Sequence, residues 1–149
     1  MEDLITRYPD PSRVLLLYPT ADSSNLCDLN PSSYDTLTVI DGTWNQAKPM
    51  SKKFASLGFR HVKISSHETK FWRYQNLNLT YLATIEAIYW FFVDYHSAYS
   101  SGEYDGRFDN LLLYFKTNWQ IIQRYYKERP GKPFTTRHAL SDSFIVYEE

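Results

Sequence analysis

One cysteine, Cys27, is all that this 149-residue sequence contains. A disulfide framework is therefore excluded, and so is a zinc site built on paired cysteines. No metal is expected in this chain. Long apolar runs are also lacking: nothing approaches the ~20 residues needed to cross a bilayer, so no membrane is expected. The opening Met-Glu-Asp-Leu-Ile has neither the basic segment nor the apolar stretch of a secretory leader. Together these absences predict a reduced compartment, cytoplasmic or nuclear. Net charge is low as well, only −1, so the total gives no support to a nucleic-acid partner.

What is present is an ordinary globular balance, 43% apolar and 22% charged, in a chain long enough for one buried core. The charge is unevenly spread. Lys48, Lys52, Lys53, Arg60, Lys63, Lys70 and Arg73 face a single acid, Glu68, over residues 48–73, which leaves the rest of the chain strongly acidic. Such a segment suits a phosphate-binding face or a solvated helix and strand surface. The aromatic fraction, 17%, is high, but most of these rings fall in apolar patterns that suit a core better than a base-stacking platform.

Residues 1–12, with Pro9 and Pro11, read as an extended lead-in. Val14-Leu15-Leu16-Leu17-Tyr18, stopped by Pro19, predicts a strand buried on both faces. Residues 20–35 are a polar loop. The β-branched run 36–40 predicts a second strand that ends at Asp41-Gly42. Residues 45–57 look helical, with Pro49 requiring a late start or a kink. The alternation over 59–64 predicts a half-exposed third strand. A helix apolar on nearly every face is expected over 81–95, and another over 108–127, with a tail from 129 to 149.

This order predicts an α/β fold, a mostly parallel sheet with flanking helices. Three strands make a thin sheet with an open edge, so a homodimer or a missing N-terminal lobe is expected. Ligands of such sheets bind beyond the carboxyl ends of the strands, here Tyr18-Pro19-Thr20 and Asp41-Gly42-Thr43-Trp44. Gly42 permits close backbone approach, Trp44 can cover a flat or apolar group, and Asp41 can accept a proton or hold an ammonium. Alternatively, Asp41 caps the next helix beside a packed Trp. Glu86 is a second anomaly, a charge on an otherwise apolar helix. It is paired, ligand-bound, turned to solvent, or placed to meet the helix dipole.

Together these residues resemble the DTW-domain family. Asp41, Thr43, Trp44, Gln46 and Ala47 match its D-x-T-W and following Q-A. Leu82, Thr84, Glu86 and Ala87 match its L-S-T-x-E-A, and Leu17-Tyr18-Pro19 matches a preceding strand end. Residues 118–126 resemble the family's closing helix, so the domain core spans 13–128. The resemblance implies a SPOUT-like fold with a trefoil knot, an exception to unknotted topology. It implies S-adenosylmethionine as donor of a 3-amino-3-carboxypropyl group, and N3 of a uridine in tRNA as acceptor. On that basis Asp41 is the expected catalytic residue. Tyr18, Pro19, Thr43, Trp44, Gln46, Leu82, Thr84 and Glu86 would bind the donor, and Lys48, Lys52, Lys53 and Arg73 the tRNA. Two features depart from the pattern. Ala83 stands where the family has Ser, and the family's N-terminal segment, with its metal-spaced cysteines, has no counterpart. A SPOUT-type RNA methyltransferase and a non-catalytic RNA-binding scaffold are the alternatives to the transferase.

Overall fold

Four consecutive apolar residues can be buried on both faces only in a central strand, and that is where they lie. In the computed structural model, which describes Tyr8, residues 10–72 and residues 80–128, β1 is Val14–Leu17 and every one of its residues is buried. Around it are β2 (Ser24–Asn25), β3 (Thr36–Val39) and β4 (Arg60–Lys63), in the order β2-β4-β1-β3. All three pairings are parallel, with Leu16 opposite both Thr38 and His61. The expected α/β fold with a parallel sheet is therefore present, with four strands rather than three.

The extra strand is β2, inside the predicted loop. Two polar residues carry no periodicity, and only the neighbour defines them: Ser24 is in register with Val62, and the Arg60 guanidinium donates to Ser24 Oγ at 2.7 and 3.0 Å. At the opposite side β3 is an edge strand, which explains why its residues are all half-buried and not sealed like β1.

Helix α1 (Trp44–Ser56) connects β3 to β4, two strands that flank β1 on either side. Its start is not delayed by Pro49, which sits inside the helix on the exposed side. Val14, Leu16 and Phe59 form a buried cluster, against which Tyr18, Ile40, Phe54 and Leu57 pack. Alternation along β1 therefore assigns Val14, Leu16 and Tyr18 to the face that α1 covers.

Helix α2 (Thr84–Tyr99) begins three residues later than the sequence predicts, and α3 (Leu113–Glu128) is preceded by a 3-10 turn over Asp109–Leu112. The chain divides into two compact units. One comprises Met1–Ser65 with Trp90–Asp105, the other Ser66–Tyr89 with Gly106–Glu149, and the boundary falls within α2. In the first unit Tyr99 OH donates to the carbonyls of Leu26 and Leu29, fastening the end of α2 to the turn after β2. Ser65 N–H donates to Asp94 at 2.8 Å. In the second, Phe71 and Trp72 lie against Phe115, with ring centroids 6.4 and 5.4 Å apart. Most of the lead-in, Arg73 and the tail lie outside the described residues. No helix among the described residues is long and apolar enough to cross a membrane.

Candidate active site

The carboxyl ends of β1 and β3 are adjacent, because those strands pair. Tyr18 follows β1, and Trp44 opens α1 immediately after the turn that follows β3. Their rings meet, with centroids 5.6 Å apart and planes tilted by 42°. Both residues are half-buried. The loop beyond Tyr18 is fixed by Ser23, whose hydroxyl donates to the Tyr18 carbonyl at 3.0 Å and accepts from Thr20 N–H at 2.7 Å. Pro19 in that loop is exposed.

The turn between the two rings holds the polar residues. Asp41 is exposed, as is Gly42, whose φ of +153° is a conformation side chains rarely adopt. A Cβ at that position would also stand 3.4 Å from Gln46 Oε1. The helix cap is supplied by Thr43 and not by Asp41. Thr43 Oγ1 accepts from Gln46 N–H, and Gln46 Oε1 accepts in return from Thr43 N–H at 3.0 Å, a complete capping box. Thr43 Oγ1 and Gln46 Oε1 also lie 2.9 Å apart. Ala47 completes the motif on the buried side of α1, 4% exposed. So three of the motif's residues build the helix start, and in doing so they set the positions of Asp41 and Trp44.

Glu86 is the second site expected from sequence, and it lies in the other unit with Leu82 and Thr84. It is 3% exposed and fully engaged. One oxygen accepts from Thr69 Oγ1 at 2.6 Å and from Ala83 N–H at 2.8 Å, and the other from Lys70 N–H at 2.7 Å. Thr69 Oγ1 itself accepts from Phe71 N–H at 3.0 Å. A buried carboxylate with three donors is a satisfied one, so Glu86 ties residues 69–71 to the start of α2. Leu82 and Thr84, on either side of Ala83, are half-buried and held in place by that tie.

Lys48, Lys52 and Lys53 are all exposed on α1, and Lys48 is one turn from Trp44. Arg73 lies outside the described residues. Among the described residues, no group of three or more His, Cys, Asp or Glu side chains could hold a metal ion.

Sequence reasoning did not single out Thr69, whose role depends on a partner seventeen positions away. It also passed over His61 and Ser51. Ser51 is 2% exposed inside α1, and its hydroxyl is 3.3 Å from His61 Nε2. The alternation over 59–64 did place His61 and Phe59 on one face, which was the available signal.

The model of the DTW domain matches residues 1–123. The chain belongs to the DTW-domain family. Among relatives, a protein of Pongo abelii named tRNA-uridine aminocarboxypropyltransferase 1 is 36% identical over 120 residues, covering 76% of this chain and 40% of that protein. The Homo sapiens protein of the same name is 35% identical over the same length. That of Xenopus laevis reaches 45% over 84 residues, 56% of this chain and 29% of its own. This DTW chain thus spans two-fifths or less of the length of these relatives. No solved structure matches it.

Proposed function

We propose that this chain is the donor-binding and catalytic part of a tRNA-uridine aminocarboxypropyltransferase. The observation that carries the reading is the Tyr18–Trp44 ring pair beside the exposed Asp41, built by the family's name-giving motif at the carboxyl ends of parallel strands. Relatives that share this motif region are named for that activity.

The residues fit S-adenosylmethionine as donor substrate. Aromatic faces attract a cation such as a sulfonium by roughly 0.5–1 kcal/mol at exposed sites. Gly42 keeps the turn open, and the Asp41 carboxylate can take the N3 proton or hold the donor's ammonium. In the reaction, N3 of uridine forms a bond to the γ-carbon of the methionine moiety. The carbon–sulfur bond breaks, its electron pair stays on sulfur, and methylthioadenosine leaves as a neutral thioether. The N3 proton passes to the Asp41 carboxylate. Because the sulfonium already activates the carbon, the protein's task is to position the partners and accept that proton. Pro19, Thr43 and Gln46 border the donor within the first unit. Lys48, Lys52 and Lys53 meet tRNA phosphates. The knotted SPOUT-like topology, an intracellular location and pairing with a second copy or a further lobe belong to the same reading.

The test is to incubate the chain with unmodified tRNA and S-adenosylmethionine and to identify the sulfur product. Methylthioadenosine is expected. S-adenosylhomocysteine would make the protein a methyltransferase, and failure to bind the donor while retaining tRNA affinity would make it a scaffold.

A further inference from the structure

Within the first unit, one imidazole stands behind the aromatic pair without belonging to the D-x-T-W motif. His61 is on β4, in parallel register with Leu16, so it shares the α1-facing side of the sheet with Leu16 and Tyr18. Three contacts then run in series. The buried Ser51 hydroxyl of α1 is 3.3 Å from His61 Nε2. The imidazole and Tyr18 rings have centroids 6.4 Å apart at 60°. Tyr18 and Trp44 follow at 5.6 Å.

We propose that His61 is a positioning residue for the donor site: held by Ser51, it backs Tyr18, and Tyr18 backs Trp44. The inference rests on the reading of Tyr18 and Trp44 as the donor-binding pair. Its physical basis is preorganisation. A ring that follows the last residue of a strand has free rotation about two torsions unless something fills the space behind it. A neighbour that removes this freedom before the ligand arrives improves affinity without touching the ligand. The strand register supplies the neighbour, and the helix supplies its anchor. The imidazole is neutral in this role. Burial pushes its pKa below the ordinary value, while Asp22, from the loop after β1, acts in the opposite direction.

The experiment is calorimetric titration of S-adenosylmethionine into the 149-residue chain and into His61→Ala, Tyr18→Ala and the double variant. Each is measured well below its melting midpoint. His61→Ala is expected to bind roughly two- to tenfold more weakly, the span of a ring–ring contact. Tyr18→Ala should abolish the effect of His61→Ala, because the two act through one contact. Additive losses would mean that His61 acts elsewhere and would overturn the proposal, as would wild-type affinity in His61→Ala. His61→Phe combined with Ser51→Ala keeps a flat ring behind Tyr18 without stranding a hydroxyl. It should retain wild-type affinity, and a loss there would equally overturn the proposal should His61→Ala fold poorly. If the wild-type chain gives no saturable heat, the donor reading itself fails and takes this one with it. Wild-type binding with an unaffected His61→Ala removes only the role of His61.

Discussion

Asp41 and Thr43 are two residues apart and do different work. Thr43 caps α1, so the duty that a carboxylate after a strand might have had is already taken. Asp41→Asn should therefore leave the melting temperature unchanged while lowering single-turnover transfer by about 10²–10⁴-fold, the span of general-base catalysis. Thr43→Ala should cost about 1 kcal/mol of stability through the lost cap, whatever it does to the rate. Thermal melting and rate measured on both proteins test the division, and a fully active Asp41→Asn would remove the base from the mechanism. His61 gives a prediction about pH. Its folded pKa is lowered from 6.5 chiefly by burial. Between the two values the unfolded chain binds the proton and the folded one does not, so stability falls as pH drops below about 6.5 and levels off below the folded value. Denaturant titrations at pH 7 and pH 5 should show a smaller difference in His61→Gln than in the wild type.

At the level of elements, the start of α2 is an unfinished version of the start of α1. Both have an acceptor at the third helical position reaching back to the cap residue's N–H: Gln46 to Thr43, and Glu86 to Ala83. Only α1 has the reciprocal hydroxyl. Ala83 accepts at its carbonyl from Ala87 N–H, the position of a cap, but its methyl offers nothing to Glu86 N–H. Ala83→Ser should complete the box and stabilise the protein by about 1 kcal/mol, read from the denaturation midpoint. The Ser of the family pattern thus has a structural explanation that needs no donor contact. This also shows what was legible beforehand. Glu86 could be recognised as out of place on an apolar helix, and β1 as central, because both are properties of a single segment. The partners of Glu86 could not, since Thr69 and Lys70 meet it only through tertiary folding. β2 was invisible for a similar reason: its two polar residues become a strand because β4 and Arg60 are beside them. Whether Asp41 caps α1 stayed open in the sequence because Asp41 and Thr43 both precede that helix, and only geometry assigns the cap to Thr43.

For the whole molecule, the low net charge hides a basic segment, part of which α1 presents to solvent. Lys52→Glu with Lys53→Glu should weaken tRNA binding and leave S-adenosylmethionine binding intact. Since each phosphate contact on a duplex contributes roughly 0.9 to the slope of log affinity against log salt, the slope should flatten in the double variant. Equal slopes by filter binding would remove α1 from the RNA face. The sheet carries a further consequence, for the making of the protein. Among the described residues, both strand partners of β1 lie downstream: Leu15 pairs with Leu37 and with Arg60. No hairpin can shelter it early. Val14–Leu17 therefore emerges from the ribosome long before its second neighbour has been synthesised, and the most apolar strand of the sheet must wait as a sticky, unpaired ribbon. Translation speed between codons 17 and 63, and any chaperone that holds the nascent chain over that interval, should govern yield more strongly than the stability of the finished fold.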